Sequence, residues 1–157
     1  MLAAALERLD GEGVQVRDAA PVLLTDPVGP SLRRYANSAA VIETQIDPPA
    51  LLARLKRLER EFGRRGGGRR WTSRVLDLDV ILWSGGAHAE PGLIIPHPLF
   101  RTRDFVLAPA ARIAPAWRDP VTGLTVRQLH ARLTRPRALR RAARGRALSS
   151  VGRATDF

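Results

Sequence analysis

The stretch RVLDLDVILW, residues 74–83, decides how the rest of this chain is interpreted. Side chains of an extended strand alternate between two faces, so Asp77 and Asp79 share one face and the flanking apolar residues share the other. Two like charges on one face repel, and partial burial adds a desolvation cost. Arginines, a bound divalent cation or exposure to water could compensate. By itself, the stretch favours a half-solvated strand over a metal site.

Length and charge predict one domain followed by a basic tail. The chain has 157 residues and a net charge of +11, and Lys56 is its only lysine. From Arg132 to the end there are eight arginines and one aspartate, a balance of +7, which leaves +4 for residues 1–131. Concentration of charge in the tail weakens the inference of nucleic-acid binding that a basic protein would otherwise invite.

Composition also excludes several kinds of site. The chain has no cysteine, so disulfides, zinc–thiolate sites and thiol nucleophiles are ruled out. No apolar run approaches the roughly 20 residues that span a bilayer. The first residues carry acids where a signal peptide would carry bases. We therefore expect a soluble, cytoplasmic protein.

Hydrophobic periodicity predicts an α+β fold, with helices on one face of a sheet. The pattern indicates a helix at 2–9, a strand at 14–24, a loop at 25–36, a second strand at 37–46, a helix from 48 to 63, and, after the acidic stretch, helices within 105–115 and 124–133. Residues 1–133 form the predicted domain. Residues 134–157 combine dense positive charge with few large apolar residues, which predicts a disordered or loosely helical tail without an assigned function.

An arginine-rich loop precedes the acidic stretch and changes its interpretation. RRGGGRRW, residues 64–71, holds four arginines around three glycines, and Arg74 stands just before Asp77. Guanidinium groups bind phosphate oxygens in bidentate fashion, while paired carboxylates can hold Mg²⁺. Together they predict a polyphosphate site with a mobile lid, against the simpler alternative of a solvated basic turn. His97 and Arg103 could add phosphate contacts, whereas His88 and His130 are interpreted as structural.

Two longer segments carry a family resemblance. RRWTSRVLDLDVILW, followed by LIIPHPLFRTRDFVLAPAARIAP, resembles the signature of the 6-hydroxymethyl-7,8-dihydropterin pyrophosphokinase (HPPK) family in order and spacing. The similarity continues upstream through RLEREFGR and YANSAAVIET to TDPVG, and so covers residues 1 to about 130. It implies a ferredoxin-like sheet and transfer of pyrophosphate from ATP to the pterin hydroxymethyl group. AMP and a pterin diphosphate for tetrahydrofolate synthesis would be the products.

The same resemblance assigns roles residue by residue. Asp77 and Asp79 would hold two Mg²⁺ ions, and Arg64 and Arg74 would assist transfer. The implied ATP contacts are Glu59, Arg74, His97 and Arg103, and the implied pterin pocket is Tyr35, Asn37, Trp71 and Phe105. For the two large aromatic residues of that pocket, simple core packing is the alternative. A monomer acting on these two small substrates is expected, with no membrane or nucleic-acid partner.

Two departures from the family pattern leave alternatives open. The strand and loop of the type AxLGSN that open the family pattern are absent, and Met1 falls within the first helix. In the ferredoxin-like sheet this first strand is central, and its loss would leave the backbone hydrogen-bonding groups of both neighbouring strands unpaired. We therefore expect translation to start upstream of Met1. N-terminal sequencing that gives Met1 as the true start would contradict this. Gly66 also replaces a second loop arginine. A small basic nucleic-acid-binding domain and an inactive truncated relative are the alternative functions.

Overall fold

The structure is a computed structural model that describes residues 1–11, 13–25, 34–64 and 76–136. The described chain contains both helices and short antiparallel strands, which confirms the predicted α+β class. The helices are α1 (Leu2–Leu9), α2 (Pro48–Arg64), α3 (Asp104–Ile113) and α4 (Val126–Thr134), with a 3₁₀ turn at Phe100–Thr102. The strands are β1 (Val14–Ala19), β2 (Leu23–Thr25), β3 (Tyr35–Asn37), β4 (Ala40–Thr44), β5 (His88–Glu90) and β6 (Leu93–Ile95).

The long helix α2 organises the first half of the domain. The sequence predicts one apolar stripe along this helix, formed by Leu51, Leu52, Leu55, Leu58 and Phe62. The structure buries Leu51, Leu55 and Leu58, while Leu52 and Phe62 are half-buried. The three buried leucines pack with Leu9 of α1 and Val14 of β1 in one apolar cluster. The helix begins at a proline, which is favoured in a first turn because its missing N–H has no intrahelical partner there. Leu78 and Val80 of the acidic stretch also pack against this cluster, so α2 supports the acidic stretch.

A second cluster holds the C-terminal half together. Phe100, Leu107, Val126 and Leu129 are buried against one another, so α3 packs on α4. The two helices lie where the sequence pattern predicted helices within 105–115 and 124–133. The side chain of Thr125 accepts a hydrogen bond from the backbone of Gln128, whose side chain accepts one in return. This capping box fixes the start of α4. The prediction of a tail after residue 133 falls largely on residues 137–157, which lie outside the described residues.

A buried ion pair fastens the 3₁₀ turn to the loop between α3 and α4. Arg101 donates to both carboxylate oxygens of Asp119, at 2.7 Å each, and Asp119 is fully buried. The same carboxylate accepts from the Thr122 hydroxyl and the Val121 backbone. Bidentate guanidinium–carboxylate geometry is among the stronger polar contacts in proteins. It anchors the segment that runs from His97 into α3.

For the acidic stretch, the prediction of a strand is wrong, but the predicted alternation of its side chains is confirmed. Residues 76–83 form no ladder with any described strand. Their burial nevertheless alternates as predicted: Leu76 is buried, Leu78 and Val80 pack on the α2 cluster, and Asp77 and Asp79 face outward. Glu59 and Lys56 bind the N–H and C=O of Leu78, and the His97 N–H binds the C=O of Ile81, as a neighbouring strand would otherwise do. The acidic residues therefore share a face, although their segment pairs with none of the strands that the structure describes.

The remaining strands differ modestly from expectation. The strand predicted at 14–24 divides into β1 and β2 around Pro21, and β1 pairs with β4. Tyr35, predicted in a loop, begins β3 and pairs with Thr25 of β2, because local hairpin pairing overrode the proline and glycine signals nearby. Within the described ranges the strands form three separate two-stranded sheets. No helix in this part of the chain has the length and apolar character needed to cross a membrane.

Candidate active site

The acid pair lies beside the only lysine of the chain. Lys56, on α2, places its ammonium nitrogen 3.6 Å from Asp77 Oδ1 and 3.8 Å from Asp79 Oδ1. The two carboxylates therefore converge on one point, as side chains on the same face of an extended segment can. Asp77 is about half exposed and Asp79 about a third exposed, so both can be reached from solvent. Sequence reasoning predicted the carboxylates but missed the lysine.

Glu59 joins α2 to the backbone of the acidic stretch. Its Oε1 accepts a 2.6 Å hydrogen bond from Leu78 N–H and lies 2.8 Å from the Lys56 ammonium. Lys56 in turn donates to the Leu78 carbonyl at 3.2 Å. Both polar groups of Leu78, the residue between the aspartates, are thus held by side chains one helical turn apart on α2. These two hydrogen bonds take the place of pairing with a neighbouring strand, and they fix the position of the acid pair relative to α2.

His97 approaches the pair from the opposite side. Its backbone N–H donates to the Ile81 carbonyl at 3.0 Å, which joins the IPHP segment to the acidic stretch. Its Nδ1 accepts from the Leu99 backbone at 3.2 Å, so the proton of the neutral ring resides on Nε2. That Nε2 lies 3.8 Å from Asp79 Oδ2. Asp79 is therefore flanked by Lys56 at one oxygen and His97 at the other.

The donor set fits a magnesium ion that shares its ligands with a substrate. Among the described residues no group of three or more histidine, cysteine or acidic side chains could enclose a metal by itself. Mg²⁺ is commonly held by one or two carboxylates, with water and substrate phosphate oxygens completing the shell. Asp77 and Asp79 provide such a pair, open to solvent. The arrangement suits a metal that arrives with a polyphosphate and does not suit a closed structural site.

The other predicted site residues divide between described and undescribed parts of the chain. Arg103 stacks its guanidinium over the Phe105 ring at 5.7 Å, at the start of α3. This helix contacts β3, the strand that carries Tyr35 and Asn37 of the predicted pterin pocket. Tyr35 on β3 is half exposed, and Asn37 donates to Thr25 at 2.8 Å. Outside the described residues lie Trp71, Arg74 and the side chain of Arg64.

Lys56 could have been found from two signals in the sequence. It stands three residues before Glu59 on a predicted helix, a spacing that places both on one face. It is also the only lysine in a chain that otherwise uses arginine for its permanently charged basic side chains. Neither signal shows which segment packs above that face, because the α2 stripe and the acidic stretch meet only through tertiary packing. Placing Lys56 beside the acid pair therefore requires the three-dimensional structure.

Replacing Glu59 with glutamine tests its part in supporting the acid pair. We expect a loss of about 1 to 3 kcal/mol in unfolding free energy, because a charge-assisted bond to Leu78 N–H and the ion pair with Lys56 are both weakened. Urea denaturation of both proteins measures the difference. Glu61→Gln is the matched control, since Glu61 lies on the same helix in a long 3.8 Å contact with Arg8. Equal stability of Glu59→Gln and wild type would contradict the assigned support.

Comparison with known protein families gives a match that covers most of the chain. The sequence profile described as 7,8-dihydro-6-hydroxymethylpterin-pyrophosphokinase (HPPK) matches residues 1–115. The chain belongs to the HPPK family. The matched region contains the acid pair, Glu59, His97 and the start of α3, so every described site residue lies inside it.

Relatives within the HPPK family are similar over most of this chain. A 2-amino-4-hydroxy-6-hydroxymethyldihydropteridine pyrophosphokinase from Synechocystis is 37% identical over 117 residues, which are 74% of this chain and 60% of the relative. The enzymes of the same description from Methylorubrum extorquens and Pseudomonas aeruginosa are 36% and 39% identical, over 85% and 64% of this chain. These matches cover 84% and 62% of the two relatives. The chain thus spans about three fifths of the length of the Synechocystis and Pseudomonas proteins.

Proposed function

We propose that this chain transfers the pyrophosphoryl group of ATP to 6-hydroxymethyl-7,8-dihydropterin. The products are AMP and the pterin diphosphate, in tetrahydrofolate biosynthesis. The observation that carries the proposal is the convergence of Asp77 and Asp79 on one solvent-facing point, with His97 alongside, in a chain of the HPPK family. Phosphoryl transfer needs little covalent participation by the protein and depends on positioning and charge stabilisation.

The acid pair would hold two Mg²⁺ ions in this reaction. Bound Mg²⁺ would supply charge neutralisation at the phosphates and polarise the acceptor hydroxyl. Asp77 and Asp79 orient their oxygens toward the same side because residue Leu78 between them is fixed to α2. His97, with its Nε2 proton facing Asp79, is placed to contact a phosphate oxygen beside the pair. The protein's own contribution at this point is orientation of oxygen ligands and one hydrogen-bond donor.

Arginines and aromatic residues complete the proposed substrate contacts. Arg103 stacks on Phe105, which preorganises its guanidinium to contact ATP. Glu59 would act at the nucleotide indirectly, because its hydrogen bond to Leu78 N–H positions the acidic stretch. Transfer would be assisted by Arg64 and Arg74. The proposed pterin pocket combines Tyr35, Asn37, Trp71 and Phe105, in which aromatic rings face the flat heterocycle and the amide pairs with its edge.

The fold we propose for this reaction is the ferredoxin-like sheet of the family. The β1–β4 pair and residues 76–83 both cover the α2 cluster, to which Ile42, Leu78 and Val80 contribute. Strands that cover the same helix commonly belong to one sheet, and this shared packing supports the proposal. A cytoplasmic, monomeric enzyme with residues 1–133 as its catalytic domain stays a prediction.

A turnover assay tests the proposed function. The purified chain is incubated with Mg²⁺, ATP and the hydroxymethyl pterin, and AMP and ADP are separated by chromatography. We expect AMP to form only when both the metal and the pterin are present. ADP formation, or absence of turnover together with tight, salt-sensitive RNA binding, would contradict the proposal. Absence of both turnover and RNA binding would favour the inactive relative.

A further inference from the structure

The ammonium of Lys56 is a fixed positive charge at the candidate metal site. It donates to Glu59 at 2.8 Å and to the Leu78 carbonyl at 3.2 Å, which occupies two of its three N–H donors. The distances to the acid pair, 3.6 and 3.8 Å, exceed those of direct hydrogen bonds but lie within ion-pair range. Lys56 is therefore tethered to the helix side and does not depend on the aspartates for its position.

The tether determines how the lysine affects a cation at the pair. Without metal, the ammonium offsets repulsion between Asp77 and Asp79, which would otherwise disfavour the extended segment. When a divalent cation binds the same two carboxylates, the ammonium stays within a few ångströms, because Glu59 and the Leu78 carbonyl retain it. Two positive centres then share one acidic site, and their repulsion opposes binding of the free cation.

We propose that Lys56 is a built-in counter-ion that weakens binding of free divalent cations by Asp77 and Asp79. This inference rests on the proposed function, because it takes the acid pair as the metal site. A free cation meets the full repulsion of the ammonium, whereas a cation bound to a polyphosphate arrives with compensating negative charge. Lys56 thereby favours loading of the metal together with the nucleotide over loading of the metal alone.

A purely structural lysine makes a different prediction. If Lys56 served only to hold the acidic stretch on α2, its loss would loosen the carboxylates and leave metal affinity unchanged or lower. A counter-ion makes the opposite prediction, since removing its charge raises metal affinity. The direction of the change in affinity therefore separates the two roles, and loss of activity alone would not.

Free-Mn²⁺ titration followed by electron paramagnetic resonance measures this affinity without nucleotide. Mn²⁺ is the probe, added to the full chain at fixed ionic strength, and Asp77→Asn defines the part of binding that depends on the acid pair. We expect Lys56→Gln to bind Mn²⁺ about three- to tenfold more tightly than wild type, as removal of a unit charge at this separation in a solvated site implies. High salt should reduce the difference.

Three control variants distinguish charge from shape and from net charge. Lys56→Arg keeps the charge and should bind Mn²⁺ like wild type, while Lys56→Met removes the charge with a side chain of similar length and should behave like Lys56→Gln. Arg127→Gln removes one charge from the exposed surface of α4 and should have little effect. Thermal unfolding in EDTA adds a second readout: Lys56→Gln should melt below wild type, and Mn²⁺ should stabilise it more.

The outcomes separate failure of this inference from failure of the proposed metal site. Unchanged or weaker Mn²⁺ binding by both Lys56→Gln and Lys56→Met, with binding still lost in Asp77→Asn, would overturn the counter-ion role alone. Mn²⁺ binding that Asp77→Asn leaves intact would overturn the metal assignment and the inference together. Tighter binding by the two uncharged variants, with Lys56→Arg and Arg127→Gln near wild type, would support it.

Discussion

Replacement of Asp77 or Asp79 by asparagine is expected to lower kcat for AMP formation by about 10³-fold. Loss of a metal-binding carboxylate removes several kcal/mol of charge stabilisation from the transition state, and about 4 kcal/mol corresponds to that factor. The fold should persist, because removal of one of two converging charges relieves repulsion when no metal is bound. Steady-state kinetics at saturating Mg²⁺, with urea denaturation in EDTA, measures both quantities.

A surface aspartate provides the matched control for this pair of variants. Asp18→Asn changes an exposed carboxylate on β1 whose Oδ1 accepts from the Ala19 backbone, a contact that the amide oxygen preserves. Its turnover should equal that of wild type. Near-wild-type turnover of either Asp77→Asn or Asp79→Asn would show that the acid pair does not bind the catalytic metal.

Replacement of Asp119 by alanine is expected to give the largest loss of stability in the domain. The variant leaves the Arg101 guanidinium and the Val121 N–H without their carboxylate partner in a buried position. Removing one member of a buried pair costs about 3 to 5 kcal/mol, and partial exposure of Arg101 places the value near the lower end. Urea denaturation measures it. Arg101→Lys should cost less, because it keeps the charge while losing the bidentate geometry.

Acid titration of stability provides an independent check on the same pair. The Arg101 hydrogen bonds lower the pKa of Asp119 from 3.8 to about 2, so the folded state favours the ionised carboxylate more than the unfolded state does. The resulting stability is fully present above pH 3.8 and is lost as the pH falls toward 2. The difference in unfolding free energy between wild type and Asp119→Asn should therefore shrink across this interval. A constant difference would contradict the assigned ion pair.

Much of the site was accessible from the sequence because alternation is a local property. The period of two in LDLDV placed Asp77 and Asp79 on one face, and the structure confirms that they face outward while Leu78 and Val80 pack inward. The leucine stripe of α2 was predicted for the same reason, since a period near 3.6 depends on the helix alone. Capping of α4 by Thr125 is likewise a short-range signal.

The parts that sequence reasoning missed depend on which elements meet in space. A strand pattern predicts extended backbone, but a ladder also requires a neighbour, and residues 76–83 obtain their backbone contacts from α2 and from the IPHP segment. Glu59 was assigned to the site by the family resemblance, but neither its contact with Leu78 nor the position of Lys56 beside the acid pair can be inferred until the acidic stretch is packed on α2. The same holds for the buried pair of Arg101 and Asp119, which are 18 residues apart.

Isotopic tracing of the transferred group tests the central claim most directly. Wild type and the Asp77→Asn, Asp79→Asn double variant are incubated with Mg²⁺, the hydroxymethyl pterin and ATP labelled with ¹⁸O at the non-bridging oxygens of its β and γ phosphates. The products are analysed by mass spectrometry. We predict that the wild-type protein yields unlabelled AMP and a pterin that carries both labelled phosphates, and that the double variant yields neither. A pterin carrying a single labelled phosphate, or equal transfer by both proteins, would contradict the account.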